Sequence, residues 1–201
     1  MCFRTTDKND RVMIFMDLAN IEYGLKNNEG LENCLIDHEG LATILIDGRK
    51  VAGAMVFDTV SRFKNDRSEE EYLSDVGYKI VKGHMEDGKQ KEVDVTLAVE
   101  MLMHAVNDHY DVAILMSGDR DFIPVISAVQ ALGKKVEVVA YSDSTSREVV
   151  SVSDEFIRME KLPVIEYHAP DNTVHPDSET ADDFVDVTGI IAEAAECQGA
   201  E

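Results

Sequence analysis

The sequence predicts an α/β fold, a three-layer α/β/α sandwich in which helices cover both faces of a mainly parallel sheet. Short apolar runs alternate along the chain with segments of helical periodicity, and the connections are long enough for crossovers. The apolar runs are nearly continuous, which is typical of strands buried on both faces. Ligands bind such sheets beyond the carboxyl ends of the strands, so polar residues that follow a strand are the candidate site.

Composition limits the classes of protein that fit. The chain has 201 residues, 44% of them hydrophobic, which is enough for one domain with a full core. The net charge of -21 excludes a non-specific nucleic-acid coat but permits an enzyme with a local basic rim. Without an apolar run of membrane-spanning length or a signal core, we expect no membrane contact and a cytoplasmic location.

Cysteines and histidines point to no metal site. The three cysteines are scattered, so neither a disulfide framework nor a zinc site is predicted. His104 and His109 are five residues apart, a poor spacing for two ligands on one helix face. We therefore expect structural or surface roles for the histidines.

The first strand is the apolar run at residues 11–18. A short helix then begins at Ile21. Asp37 is placed to cap a second helix, which ends at Gly48. Residues 50–60 form the second strand, because the run is apolar and rich in β-branched and aromatic side chains.

The next segment joins a helix to a short strand. Ser68 and the acids after it predict a helix start, and Gly77 ends that helix. Residues 78–81 form the third strand. Basic residues occupy the loop at 61–67 before the helix and the lead-in at 89–91 after the strand.

The central part of the chain supplies a helix, a strand and a second helix. Residues 93–106 are apolar at helical spacing, and residues 111–116 form the fourth strand. Asp121 is placed to cap the following helix. Pro124 is tolerated in the first turn of that helix, and Gly133 ends it.

The last part of the domain continues the alternation and then changes composition. We expect a strand at 135–141, a helix at 147–161 and a final strand at 164–167. These complete a domain of residues 1–168. Residues 169–201 form an acidic tail, for which we expect flexibility or a short helix.

Four aspartates are expected at one edge of this sheet. Asp17, Asp119 and Asp121 follow two strands, and Asp94 stands in the first turn of a helix. Carboxylates packed together repel each other, and a hard divalent cation such as Mg²⁺ or Mn²⁺ offsets that repulsion. A metal held there can activate water and stabilise a phosphodiester under attack.

Polar and basic residues surround these acids in the sequence. Asn20 and Ser117 are polar neighbours that could hold a ligand or a water. Basic side chains at the same edge could contact phosphates that flank the scissile one. The candidates are Arg62, Lys64, Arg67, Lys89, Lys91 and Arg120.

Local structure offers an alternative explanation for three of the four acids taken singly, and Asp119 is the acid that it explains least. Asp121 could be only a helix cap, Asp17 a turn former, and Asp94 a favourable charge at a helix N-terminus. For Asp58 and Glu100 we expect either a solvated position or a position beside the ligands of the site, without direct contact with a metal. The case for a catalytic site therefore depends on the four aspartates sharing one edge.

Three segments resemble the NYN domain (LabA-like, domain of unknown function 88) of the PIN-like nuclease superfamily. They are residues 17–20 (DLAN), 91–98 (KEVDVTLA) and 117–122 (SGDRDF), within a resemblance that runs from about residue 11 to 167. It implies a PIN-like fold and, for active members, RNA cleavage that depends on a divalent metal. The family's acids correspond to Asp17, Asp94, Asp119 and Asp121. Where many relatives have a further aspartate, this chain has Glu100, whose role stays open.

Three functions remain as hypotheses. The first is a metal-dependent endoribonuclease that hydrolyses RNA phosphodiester bonds, with Mg²⁺ or Mn²⁺ as cofactor and RNA as partner. The second is a non-catalytic PIN-like regulatory module that binds RNA or a protein partner, for which the acidic tail is a candidate surface. The third, a Toprim-like phosphotransferase, ranks lower because the first strand ends in Asp17 rather than a glutamate. The sequence leaves a homo-oligomer open.

Overall fold

The structure is a computed structural model that describes residues 7–31, 33–60, 62, 67–83 and 91–167. At residues 67, 91, 166 and 167 it describes the backbone only. The chain divides into units 1–169 and 170–201, and the acidic tail lies outside the described residues. No helix among the described residues is long and apolar enough to cross a bilayer.

Strands and helices alternate along the described chain. The strands are β1 (Arg11–Asp17), β2 (Cys34–Ile36), β3 (Lys50–Thr59), β4 (Lys79–Gly83), β5 (Val112–Met116), β6 (Lys135–Ala140), β7 (Glu155–Arg158) and β8 (Ile165–Tyr167). The helices are α1 (Leu18–Lys26), α2 (His38–Ile46), α3 (Arg67–Val76), α4 (Lys91–Val106), α5 (Ile123–Ala131) and α6 (Arg147–Val152). Short 3₁₀ turns occupy Arg120–Phe122 and Met159–Lys161.

Six strands form one sheet in the order β4-β3-β1-β5-β6-β7, and all neighbouring pairs are parallel. The strand order reverses between β1 and β5, which are direct neighbours at the centre. Met16 of β1 pairs with Met116 of β5, so the residues that follow, Asp17 and Ser117, emerge side by side. This is the position where open α/β sheets bind ligands.

Helices cover both faces of the sheet because side chains along each strand alternate between the two faces. Ile14 and Met16 of β1 pack in one buried cluster with α1, α2 and α3. Met13 and Phe15 of the same strand pack in a second cluster with α4, α5 and α6. The predicted α/β/α sandwich with a central parallel sheet is confirmed.

Two elements differ from the sequence prediction. The helix predicted at 147–161 is wrong beyond Val152, because Ser153 adopts an extended backbone and the chain then forms edge strand β7. Asp154 fixes this switch, since its carboxylate accepts a 2.8 Å hydrogen bond from the backbone N–H of Val136 in β6. The short strand β2 was not predicted; it pairs antiparallel with β8 in a separate two-stranded sheet.

Candidate active site

Asp17 lies at the reversal of strand order and is only 6% exposed. It ends β1 and caps α1: its Oδ1 accepts a 3.1 Å hydrogen bond from the backbone N–H of Asn20. Its Oδ2 accepts a 3.2 Å hydrogen bond from the hydroxyl of Ser117, which follows β5. Both oxygens are therefore fixed, one by its own helix and one by the neighbouring strand.

A second set of hydrogen bonds ties the turn after β1 to the turn after β5. Asn20 Oδ1 accepts from the backbone N–H of Gly118 at 3.1 Å. The hydroxyl of Ser117 accepts from the backbone N–H of Asp119 at 3.3 Å. Both polar neighbours predicted from the sequence thus lie in the site, where they set the relative position of the two turns.

Gly118 allows the turn after β5 to approach the loop after β6. A Cβ atom at this position would lie 2.5 Å from Thr145 Oγ1 and 3.0 Å from Thr145 Cα. Contacts that short do not occur, so a larger residue would displace the turn. The backbone carbonyl of Gly118 also accepts a hydrogen bond from the N–H of Ser146 at 3.3 Å.

The capping role predicted for Asp121 belongs to Asp119 in the structure. Asp121 was predicted to cap the helix, but α5 begins after Phe122 without any side-chain cap. Asp119 instead caps the 3₁₀ turn, because its Oδ1 accepts a 2.9 Å hydrogen bond from the backbone N–H of Asp121. Asp119 is half-buried and Asp121 is exposed, so local structure orients Asp119 and leaves the Asp121 side chain open to solvent.

Electrostatic repulsion links the four acids. Burial raises the pKa of Asp17 to about 7, and the charges of Asp94 and Asp58 add to that rise. Burial also raises the pKa of Asp94, and the charges of Asp119 and Asp121 raise it further. Because each acid affects another through space, the first turn of α4 and the turns after β1 and β5 face one region.

The donor chemistry of this region fits a hard divalent cation. The side chains are carboxylates, an amide and a hydroxyl, which suit Mg²⁺ or Mn²⁺ better than zinc. Within the described residues, however, no three Asp, Glu, His or Cys side chains are already gathered closely enough to hold one ion. Mg²⁺ retains several waters and is commonly held by one or two carboxylates, so direct contact with every acid is not required.

Arg62 contacts acids, although the sequence suggested it as a phosphate contact. Its guanidinium forms two hydrogen bonds with Glu69, at 2.9 and 2.8 Å, and one with Glu22. Its Nε also lies 3.4 Å from Asp58 Oδ2. The negative charges of these carboxylates offset the positive charge of the guanidinium, so its attraction for a phosphate is weak.

The structure describes the other five basic candidates to different extents. Arg120 lies between the paired acids and is exposed. Lys64 and Lys89 lie outside the described residues. Arg67 begins α3 and Lys91 begins α4, but the structure does not describe the side chains of those two residues.

Asp58 is buried, which is not the solvated position but agrees with the other expected position, beside the site. It is 2% exposed near the carboxyl end of β3, beside β1. Its Oδ1 accepts a 2.5 Å hydrogen bond from the backbone N–H of Thr59, whereas its Oδ2 has no hydrogen-bond partner among the residues that the structure describes. Burial raises the pKa of Asp58. The strand-end rule that singled out Asp17 could have singled out Asp58 as well.

Glu100 does not join the four aspartates. Its Oε2 lies 3.5 Å from Nε2 of His104, one turn further along α4. Six residues separate Glu100 from Asp94, which is about 9 Å along a helix axis. The glutamate therefore belongs to the histidine end of α4.

Comparisons with known proteins agree with this architecture. The family profile described as NYN domain matches residues 11–160. A crystal structure of a protein of unknown function from Vibrio parahaemolyticus has 23% sequence identity and a TM-score of 0.67, covering 78% of this chain and 97% of that chain. At that identity the likeness shows the fold alone. No curated protein matches. The predicted resemblance is confirmed: the chain belongs to the NYN domain family, within the PIN-like nuclease superfamily.

Proposed function

We propose that the protein is an endoribonuclease that depends on Mg²⁺ or Mn²⁺ and hydrolyses RNA phosphodiester bonds. The observation that carries the proposal is the buried carboxylate of Asp17, whose pKa is raised to about 7 by burial and by neighbouring acids. Keeping such a group costs stability, and the cost is offset if a cation binds beside it. The site residues proposed are Asp17, Asp94, Asp119 and Asp121.

The surrounding residues hold these carboxylates in place. Ser117 and Asn20 fix both oxygens of Asp17 and join its turn to the turn after β5. The N–H of Asp121 occupies one oxygen of Asp119, which leaves the other available. Asp94 approaches from the first turn of α4, so the site is assembled from elements far apart in the chain.

A divalent cation bound among these acids would lower the pKa of a coordinated water and stabilise negative charge on the phosphodiester. The chain's own contribution is to present ionised oxygens at a protected edge of a rigid sheet. Arg120 is the described candidate whose exposed side chain is proposed to contact an RNA phosphate. Lys64, Arg67, Lys89 and Lys91 remain proposed contacts of the same kind.

Replacing Asp119 with Asn tests the assignment cleanly. Asparagine is as good a cap as aspartate, so D119N keeps the hydrogen bond from the N–H of Asp121 while removing the charge. We expect Mn²⁺-dependent cleavage of single-stranded RNA to fall at least a hundredfold, with no decrease in melting temperature in the absence of metal. The matched control is D75N, an exposed aspartate near the end of α3, at the opposite edge of the sheet. Equal cleavage by D119N and wild type would refute the proposal.

A non-catalytic module that binds RNA or a protein partner is the second candidate. The pairing of Arg62 with acids and the net charge of -21 favour a module that binds a protein partner, or RNA only weakly, because both weaken attraction to RNA. Titration with Mn²⁺ in a thermal-shift assay separates the two functions. A cation that binds only the folded state must raise its melting temperature. No shift at millimolar Mn²⁺ would favour the non-catalytic module.

A further inference from the structure

Two histidines meet at the end of α4 opposite to the acidic site. The helix ends at Val106, and Asp108 then adopts a left-handed backbone with φ of 54°. This turn brings the N–H of His109 to 3.0 Å from the carbonyl oxygen of His104, a closing hydrogen bond typical of helix C-termini. The centroids of the two rings lie 4.9 Å apart, and the two Nδ1 atoms share a hydrogen bond of 2.8 Å.

The spacing argument that predicted separate roles for these histidines applies only to a continuous helix. His109 lies beyond the helix end, and the left-handed residue folds it back over the last turn. Asp108 is held in that conformation by tertiary contacts. Arg11 donates to its carbonyl oxygen at 2.6 Å and pairs with its carboxylate at 3.2 Å, and Lys134 pairs with the same carboxylate. Tertiary contacts of Asp108 therefore hold the two histidines next to each other.

The two Nδ1 atoms are placed where one ion could bind both. Two nitrogens bound at right angles to one square-planar or octahedral ion, each at about 2.0–2.1 Å, lie about 3 Å apart, whereas the tetrahedral angle of Zn²⁺ would separate them by roughly 3.4 Å. The observed 2.8 Å is within a few tenths of an ångström of the right-angle value. His109 is exposed, so an ion can reach the pair from solvent.

Glu100 prepares His104 as a ligand. Its carboxylate faces Nε2 of His104 at 3.5 Å, so it favours the tautomer that carries its proton on Nε2. In that tautomer Nδ1 of His104 carries no proton and accepts the 2.8 Å hydrogen bond from Nδ1–H of His109, so a metal ion binds both nitrogens by displacing that single proton. A carboxylate on the outer nitrogen is the usual support for a histidine that binds metal.

We propose that His104 and His109 form a second metal site, which binds Ni²⁺ or Cu²⁺ through their two Nδ1 atoms. Water fills the remaining positions, because the described residues provide no third protein ligand beside the pair. The imidazoles select late first-row metals, whereas the acidic site takes Mg²⁺ or Mn²⁺. Ten residues of α4 separate His104 from Asp94, about 15 Å along the helix axis, so the two sites are distinct. This proposal does not depend on the proposed nuclease activity.

Calorimetric titration of the full chain with Ni²⁺ at pH 7.5 tests the site. H109Q is the first variant, because His109 is exposed and its loss leaves the core intact. We expect the affinity for Ni²⁺ to fall at least tenfold in H109Q and in H104Q. E100Q should weaken binding by about tenfold if the carboxylate supports the ligand tautomer. D119N should bind Ni²⁺ at this site as wild type does.

Electron paramagnetic resonance with Cu²⁺ identifies the ligands directly. Wild type should show coupling to two imidazole nitrogens, and H109Q to no more than one. H109Q should also retain any Mn²⁺-dependent thermal shift shown by wild type, which keeps the two metal sites separable. Equal Ni²⁺ affinity in wild type and H109Q, or no binding by wild type at millimolar Ni²⁺, would overturn the proposal.

Discussion

Replacing Asp17 with Asn is expected to stabilise the folded protein at pH 8, even though Asp17 is central to the proposed active site. The carboxylate is nearly buried, and burial together with Asp94 and Asp58 disfavours its charge. Asparagine is neutral and of nearly the same shape. Its Oδ1 can still accept from the N–H of Asn20, and its amide can donate to the hydroxyl oxygen of Ser117.

The size of the effect follows from the pKa shift. The pKa of Asp17 rises from 3.8 to about 7 on folding. Each unit corresponds to about 1.4 kcal/mol, so ionised Asp17 destabilises the fold by an amount on the order of 4 kcal/mol at pH 8. This is a ceiling for D17N, because the new amide must replace one accepting oxygen with a donor. A gain of about 2–4 kcal/mol in unfolding free energy is expected.

The destabilisation caused by Asp17 is expected to increase with pH. An acid whose pKa is raised by folding binds its proton more tightly in the folded state, so its penalty is absent below the unfolded pKa. The penalty grows as the pH rises from 3.8 to about 7 and is complete above that value. The difference between D17N and wild type should therefore be large at pH 8 and small at pH 4.

Asp111 provides a matched control with the opposite sign. Its carboxylate hydrogen-bonds to the guanidinium of Arg11, at 2.9 and 2.7 Å, and this contact lowers the pKa of Asp111. A lowered pKa contributes stability above the unfolded value and loses it as the pH falls. D111N should therefore destabilise the protein at pH 8, and by progressively less as the pH is lowered below about 4.

Urea unfolding of wild type, D17N and D111N at pH 4, 6 and 8, without divalent metal, measures these differences. Equal slopes of free energy against urea would show that the substitutions change stability and not the unfolded ensemble. If D17N is less stable than wild type at pH 8, or gains equally at pH 4 and 8, the electrostatic reasoning about Asp17 is wrong.

Two further substitutions test buried contacts, one beside the site and one elsewhere in the fold. Gly118→Ala should cost about 1–3 kcal/mol and displace the turn, because its Cβ would lie 2.5 Å from Thr145 Oγ1; an unchanged urea midpoint would contradict this. Glu137→Leu should cost about 3–5 kcal/mol, because it leaves the guanidinium of Arg49 buried without the carboxylate that it contacts at 2.6 Å. Urea unfolding of the double variant R49M/E137L should recover part of that loss, and no recovery would mean that the stranded charge is not the cause.

The sequence was sufficient to predict six of the eight described strands and the helices that cover both faces of the sheet. It also predicted that Asp17 and Ser117 lie at one edge, because each follows a continuous apolar run and parallel strands end at the same edge. It did not predict the hydrogen bonds that the acids form. Whether Asp119 or Asp121 caps the turn depends on a 3₁₀ turn of three residues, which has no periodic signature.

Tertiary contacts decided the features that the sequence did not predict. Asp58 is buried because strands lie on both sides of β3 and Arg62 covers its end, and neither fact is local. The contact between His104 and His109 requires the left-handed turn that Arg11, 97 residues away in the chain, helps to hold. Spacing along the chain cannot report such contacts, because it assumes that an element continues regularly.

Stability and proposed function are linked through the same group of carboxylates. Asp17, Asp58 and Asp94 all have raised pKa values, so the fold retains charges that oppose it. A hydrophobic or amide replacement would be the simpler solution if these positions served packing alone. Two of the three acids, Asp17 and Asp94, are among the four that the family resemblance identifies, and the third lies beside them in the next strand. The excess of negative charge at this edge is therefore best explained as a requirement for a positively charged ligand.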